Sequence, residues 1–507
     1  MAPRPEEKRS YNALVLFIIC LGAILRVYNF WVPPIWVDEY GTWWVIAADA
    51  WSEVIERTLR IQGQSPFYYL LVRTIAGLGG YGALQLRLLS VICGIATLAL
   101  VYPLAVKIFD DRRVALLSLI IFALSEPLIW YAQIARPYSL ALFFSLVSFW
   151  SFVSLEKPAT NAARAVYVLS TALTVYAHYL FGLIVVIQAI YLIVQTGLRT
   201  LFSKLWFTNF LALALLLAPV TGQVLYLHSR RHALDWVTSV DSSWKIAGGI
   251  IYIIAGLSPI AVLATILAVT VLGFRRLELK LKEIRSRLAL PIIWYLTPLF
   301  LFSIVPLLVG VNLGQPRYLL FAYPATYLLL AWFILNVRAD GYRKWLPAAV
   351  YVMTTILFVS IPALSSTQTF ARWPNRAWND VLAKLAQLYT PDSLVVAQIG
   401  LVEADLLAND GYDPKLLSYL SWPLVTALPG LKAENIAILP YRLTDRTQIY
   451  LRSLLDRASQ YPRIYLLGGG ELVSLFRDQL VDDFNYRLIT QTNQGETFHV
   501  FVFERMP

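Results

Sequence analysis

Runs of roughly 20 apolar residues recur along this 507-residue chain, and they leave it few ways to fold. Such a run wound into a helix satisfies its own backbone hydrogen bonds and can therefore sit in lipid, where an irregular or open-edged segment cannot. The runs fall near 11–31, 83–106, 114–132, 137–155, 165–178, 180–197, 205–226, 246–273, 288–310, 317–336 and 346–365, which predicts about eleven transmembrane helices. Residues 11–31 follow a short basic start, as in a signal peptide, but the run is too long and lacks a small-residue cleavage site, so a retained first helix is expected. The chain is 58% hydrophobic and only 14% charged, as a polytopic membrane protein requires.

The net charge of +11 is distributed in a way that sets orientation rather than one that suggests nucleic acid. Arg4, Lys8 and Arg9 precede the first run, and K-I-F-D-D-R-R, E-K-P-A-T-N-A-A-R, L-R-T-L-F-S-K, R-R-L-E-L-K-L-K-E-I-R-S-R and V-R-A-D-G-Y-R-K occupy every second turn after it. The positive-inside rule then predicts a cytoplasmic N-terminus, with Asp38, Glu39, Arg136, His178, the 227–244 loop, Arg317 and the C-terminal region on the outer face. Cys20 and Cys93 both lie inside apolar runs, which excludes a disulfide framework and a cysteine zinc site.

Two regions depart from the apolar pattern. In the first outer loop, 32–82, Trp44, Ala47, Ala48 and Trp51 recur at helical spacing with Asp49, Glu53 and Glu56 on another face, which predicts an amphipathic helix on the outer leaflet. P-F-Y-Y-L-L-V-R-T-I-A-G-L-G-G after it is too short to span and is expected to be a juxtamembrane or half-inserted helix. From about residue 370 the patterning becomes that of a soluble protein. D-S-L-V-V-A-Q-I, R-I-Y-L-L and F-H-V-F-V-F-E-R are expected to be strands, and E-L-V-S-L-F-R-D-Q-L a helix. The expected organisation is a transmembrane catalytic domain, 1–369, and a small extracytoplasmic α/β domain, 370–507.

The candidate functional residues lie at the outer ends of the runs. Asp38 and Glu39, in W-V-P-P-I-W-V-D-E-Y-G-T-W-W, stand among tryptophans behind two stiffening prolines. Neighbours on a helix diverge, so one acid working alone as base or ligand is expected, or else both only solvate a helix end. Arg136 in Y-A-Q-I-A-R-P-Y-S-L and Arg317 in N-L-G-Q-P-R-Y-L-L form two matching corners, each with a proline and a nearby tyrosine, Tyr138 and Tyr318. A guanidinium there either snorkels to lipid headgroups or grips a phosphate in bidentate fashion, and the repetition favours a shared anion site. His178, in Y-A-H-Y-L-F-G, marks another outer turn and reads as a hydrogen-bonded structural residue or a ligand. H-S-R-R-H at 228–232 lacks the acid of a zinc motif. L-L-G-G-G-E-L at 466–472 reads as a tight strand-to-helix turn rather than a phosphate cradle.

An acid and an arginine pair at a lipid boundary suit a transferase with a lipid-phosphate donor, whose acceptor hydroxyl needs a base in the transition state. Taken together, D-E after the first run, Q-S-P-F-Y-Y-L-L, L-R-L-L-S-V-I-C-G, Y-A-Q-I-A-R-P-Y-S-L, A-H-Y-L-F-G and P-R-Y-L-L resemble the GT-C glycosyltransferases of the protein O-mannosyltransferase and aminoarabinose transferase type, families 39 and 83, over roughly residues 11–340. The resemblance implies a mainly α, bacterial plasma (inner) membrane enzyme that inverts configuration as it moves a sugar from a polyprenyl-phosphate donor to a glycan, lipid or protein acceptor at the outer face. It implies Asp38 as general base with Glu39 holding the acceptor or the loop, Arg136, Arg317, Tyr138 and Tyr318 at the donor phosphate and lipid, and His178, Gln64 and Tyr68 at the substrate. Two departures matter. The family's H-P-P-L is Gln64, Ser65, Pro66 and Phe67 here, and an acid common two places before the arginine is Ile134. No cofactor is expected, and a divalent metal is not supported. The alternatives are a transporter or flippase for a lipid-linked or anionic substrate, for which no inverted repeat is visible, and a membrane scaffold for the α/β domain.

Overall fold

The computed structural model describes residues 5–155, 160–229, 287–309, 316–336, 349–350, 353, 376–411, 413–428, 430–494 and 498–507. In chain order the first half is helical: α1 (Pro5–Val27), α2 (Val37–Ile46), α3 (Trp51–Arg57), α4 (Phe67–Gly79), α5 (Ala83–Phe109), α6 (Arg112–Ala123), α7 (Glu126–Ala132), α8 (Tyr138–Phe152), α9 (Asn161–Ala177), α10 (Leu183–Thr196) and α11 (Lys204–Ser229). Then come α12 (Ala289–Val309) and α13 (Tyr323–Asn336). The C-terminal region runs α14 (Arg376–Leu388), β1 (Leu394–Ala397), α15 (Leu401–Asp410), α16 (Pro414–Ala427), β2 (Ile436–Ile438), α17 (Asp445–Ala458), β3 (Arg463–Gly468), α18 (Glu471–Asp482), β4 (Tyr486–Gln494) and β5 (Phe498–Arg505).

Contacts divide the chain into two units, the first taking the described residues within 1–33, 64–226 and 238–372. Its helix boundaries follow local chemistry. Asp110 at φ 51° ends α5, and the Asp111 carboxylate accepts the Arg113 N–H at 2.8 Å to open α6. The run 114–132 is broken where Ser125 and Pro127 interrupt it, so α6 and α7 meet at 58°. The core of the unit carries polar glue of the kind lipid-embedded helices use. Tyr167 donates to Gln188 at 2.9 Å, Gln188 to Ser148 at 2.9 Å, and Ser148 and Thr171 share a bond of 2.7 Å, all four side chains being buried. These bonds join α8, α9 and α10.

Among the described residues three helices, Ala83–Phe109, Tyr179–Thr196 and Lys204–Ser229, are long and apolar enough to cross a membrane, and the bent α6–α7 pair could add a fourth. Tyr11–Val27, Phe67–Gly79, Tyr138–Phe152, Ala289–Leu301 and Leu320–Asn336 are apolar but shorter. The expected eleven spans are thus not counted out here. The expected spans 246–273 and 346–365, most of the 227–244 loop, and the basic segments R-R-L-E-L-K-L-K-E-I-R-S-R and V-R-A-D-G-Y-R-K lie wholly or largely outside the described residues.

The second unit takes residues 34–63 together with the described residues of 227–237 and 373–507. Its five-stranded sheet runs β2-β1-β3-β5-β4, with β1 parallel to β2 and β3, and β5 antiparallel to β3 and β4. Alternate strand residues feed two cores. Val395, Ala397, Tyr465 and Leu467 face α14 and α16, whereas Val396, Ile464 and Leu466 face α17 and α18. The three-glycine turn is structural, as expected: Gly468 has φ 146°, and a Cβ there would meet the Gln398 Cβ at 2.8 Å. A sheet with helices is present in the expected α/β region, but the expected single amphipathic helix is two, α2 and α3, and α2 packs within this unit. Its Tyr40 belongs to the α14–α16 core, Trp44 is only 1% exposed, and the Trp44 indole donates to Ser418 at 3.1 Å. Tryptophans seeking an apolar body and a polar rim found both on a helix of the same unit.

Candidate active site

In the first unit Arg136 stands on a corner pinned from three sides. Its N–H bonds the Ile134 carbonyl at 2.8 Å, Pro137 follows, and α8 starts at Tyr138. The Arg136 carbonyl accepts from Ser90 at 3.2 Å, Ser139 donates to the Tyr131 carbonyl at 2.9 Å, and Gln133 donates to the carbonyls of Leu25, Arg26 and Tyr28 at 2.9 to 3.2 Å. Gln133 thereby supplies donors to the C-terminal turn of α1, whose last carbonyls lack helical partners. Arg317 comes from a separate short 3-10 turn, Pro316–Tyr318, just before α13.

These corners converge on His178, which ends α9 with extended backbone at φ −157°. Its ring lies 5.4 Å from the Tyr138 ring and 5.7 Å from the Tyr318 ring, and the Arg317 guanidinium lies 5.3 Å from the Tyr318 ring centroid. The charges of both Arg136 and Arg317 reach the histidine. His178 Nδ1 is buried and makes no hydrogen bond among the described residues. Five predicted residues, Arg136, Tyr138, His178, Arg317 and Tyr318, therefore form one cluster. Two arginines whose charges both act on a buried imidazole make a site suited to an anion with several acceptor oxygens. Among the described residues no group of three His, Cys, Asp or Glu is placed to hold a metal.

Gln64 and Tyr68 have other occupations. Gln64 Oε1 accepts from the Tyr69 hydroxyl at 3.0 Å, and the fully buried Tyr68 shares a 3.3 Å bond with Ser90, the residue that holds the Arg136 carbonyl. Tyr68 thus braces the arginine corner from behind. Arg87, Arg26 and Ser90 were not singled out in the sequence. Arg87 donates to the carbonyls of Phe30 and Pro33 at 2.9 and 2.8 Å, and Arg26 to those of Gly22, Ala123 and Phe122 at 2.9 to 3.2 Å. For the two arginines the signal was a charge inside an apolar run, which is costly unless paired.

In the second unit Asp38 and Glu39 occupy the first turn of α2, where carboxylates favour the positive end of the helix. Glu39 is buried and its Oε2 accepts the Trp36 N–H at 2.8 Å, so it serves the loop as a helix cap. Asp38 is partly exposed. Burial first, and the Glu39 carboxylate second, push the Tyr40 hydroxyl above its ordinary value, which keeps this core phenol neutral.

Over its whole length the chain has the fold of a crystal structure of ArnT from Cupriavidus metallidurans bound to undecaprenyl phosphate: TM-score 0.56 at 13% identity, with 100% of each chain covered. The same protein in the apo state matches with TM-score 0.55 at 12% identity, covering 98% of this chain and 100% of that one. The chain therefore has a GT-C fold and, with its apolar helices, is a multi-pass membrane protein. Residues 63–222 match the family described as dolichyl-phosphate-mannose-protein mannosyltransferase. That segment, under half of the chain, includes Gln64, Tyr68, Arg136, Tyr138 and His178. No curated protein sequence matches the chain.

Proposed function

We propose that the protein is an inverting glycosyltransferase that takes a sugar from a polyprenyl monophosphate donor. The observation that carries this reading is the cluster of Arg136 and Arg317 around the unsatisfied His178 nitrogen, framed by Tyr138 and Tyr318. The undecaprenyl phosphate in the similar ArnT structure supports the choice of donor, and the match to a mannosyltransferase family supports the reaction class.

In this reading the acceptor oxygen attacks the anomeric carbon as the bond to the phosphate oxygen breaks. Polyprenyl phosphate leaves with its electron pair, and its growing charge is met by the arginines. The acceptor proton passes to Asp38, which acts as general base. Glu39 holds the loop. The sugar stands outside the membrane, with the N-terminus in the cytoplasm and the 370–507 region outside, as the alternation of basic loops indicates. The setting is a bacterial inner membrane, and the acceptor is a hydroxyl or phosphate of a glycan, lipid or protein.

Binding of undecaprenyl phosphate and of sugar nucleotides to the purified protein tests the donor. Undecaprenyl phosphate is expected to bind and to be released during turnover of lipid-linked sugars extracted from membranes of cells that express the chain. Tighter binding of a sugar nucleotide would remove the donor assignment.

A further inference from the structure

The second unit contains, within one packed body, both the helix that carries Asp38 and a helix nearly 380 residues further along the chain. On the α2 side, Tyr40 is part of the core formed with Leu416, Leu420 and Leu424 of α16, and Ile35, Trp43 and Ile61 pack against that core. Trp44 bonds Ser418 and lies 5.3 Å from the Tyr419 ring, and Trp43 meets Trp422 edge to face at 6.0 Å. Gly41 has no side chain where the Tyr419 hydroxyl approaches: a Cβ there would sit 3.3 Å from it. Beyond the aromatic contacts, Lys415 Nζ reaches Glu56 Oε1 at 2.5 Å, tying α3 to the start of α16. The contacts cover α2 from Tyr40 to Trp44, immediately after the acid.

We propose that α16 is a clasp for the base-bearing helix, with Tyr419 and Trp422 as positioning residues that fix α2 and hence Asp38 for the acceptor proton. This rests on the reading of Asp38 as general base. The physical reason is geometric. A base accelerates proton transfer only within hydrogen-bond reach of its target, and Asp38 stands at the first turn of a helix of ten residues, too short to hold itself rigid in water. A scaffold of long-range contacts must supply that rigidity, and the α16 face is where α2 finds it. The α/β region is then a structural part of the catalytic apparatus rather than a separate module.

The test uses the full chain, with Tyr419→Ala, Trp422→Ala and the conservative Tyr419→Phe and Trp422→Phe, each measured in three ways. Amide exchange across residues 37–46 is expected to rise tenfold or more in the alanine variants, while exchange in β1 and β3 stays as in wild type. Turnover of the lipid-linked sugar fraction is expected to fall at least tenfold with undecaprenyl phosphate affinity unchanged, and the phenylalanine variants should restore most of both. A second arm reverses the surface pair. Glu56→Lys and Lys415→Glu should each loosen the segment, and the double variant should recover, a readout that requires no change in the core. Wild-type exchange across 37–46 in both alanine variants, or turnover and donor affinity falling in parallel, would overturn the clasp. Failure of the underlying reading looks different: Asp38→Asn would keep turnover within a few-fold of wild type, whatever the exchange data show.

Discussion

Several cations of the two units find different kinds of partner. In the first, long side chains donate to backbone carbonyls at helix ends: Arg26 to Ala123 and Phe122, Arg87 to Phe30 and Pro33, Gln133 to the last turn of α1. In the second, cations meet acids, as in Arg442 with the buried Asp405 at 2.5 Å, Arg57 with Glu53 at 2.7 Å and Lys415 with Glu56. A carboxylate in lipid adds a second charge to desolvate, whereas helix-end carbonyls are already there and need donors. Arg26 and Arg87 are, then, hydrogen-bond donors to the backbone of the fold. Arg136 and Arg317 differ in that the charges of both act on a buried histidine, and it is there that the proposed phosphate contact is made.

The sharpest way to break this contrast is at the acid of α2, Asp38. Asp38→Asn is expected to lower turnover by roughly 10² to 10⁴ while donor binding persists. Turnover close to wild type would make Asp38 one more helix-end carboxylate. Glu39→Gln should act through the loop, raising amide exchange at 36–40, because it weakens the cap on Trp36.

Next in size are the corner arginines. Arg136→Ala and Arg317→Ala each remove charge-assisted bonds of about 1.5 to 3 kcal/mol and should weaken undecaprenyl phosphate binding by roughly tenfold to a hundredfold. Lysine should rescue only in part because the guanidinium fork is lost. Equal titration curves for all variants would place the phosphate elsewhere and return both residues to the structural class of Arg26.

Arg87→Met should do the reverse, leaving donor affinity close to wild type once folded but costing about 2 kcal/mol or more of stability as two carbonyls lose a charged donor. A lowered thermal midpoint in detergent, compared with Arg87→Lys, reads this out. The smallest effect belongs to the ion pairs of the second unit. For Glu53 burial works against ionisation, but the Arg57 hydrogen bond and charge outweigh it and leave the carboxyl below its ordinary value. For Glu56 the Lys415 hydrogen bond acts in the same direction. A folded value depressed below the unfolded one gives stability that is complete above about pH 4.5 and lost as pH falls through the folded value. For Glu53, whose side chain is 32% exposed, solvent screening keeps this under about 1 kcal/mol. Tryptophan fluorescence of the loop between pH 6 and 3 should therefore move slightly in wild type and less in Glu53→Gln.

What the sequence made legible was local. The two arginine corners could be found because proline, arginine and tyrosine stand within three residues of one another, and β1, β3 and β5 because their apolar residues alternate or run together, whereas the three-residue β2 and the polar β4 gave no such pattern. Tyr68 was read as a substrate residue because its neighbourhood resembled a family motif, yet its hydroxyl points to Ser90, 22 residues away, and so to the back of the arginine corner. Arg87 and Gln133 bond carbonyls 54 to 108 residues distant, and a carbonyl has no sequence signature at all. The tryptophans of the first loop were ambiguous for the same reason. A lipid headgroup layer and a helix such as α16 offer the same mixture of apolar surface and polar atoms, and only the folded chain shows that Ser418 takes the indole hydrogen.

That indole bond joins residues 374 positions apart. A ribosome adding roughly 5 to 20 residues per second needs on the order of 20 to 75 s to make the second partner after the first. Throughout that interval α2 has been synthesised but has no α16 to dock on, whereas the arginine corner at 136 is complete as soon as the chain has passed residue 318. Biogenesis is therefore staged: a chain stopped between residues 318 and 418 would already contain Arg136, His178 and Arg317 but would lack the serine that takes the Trp44 indole hydrogen.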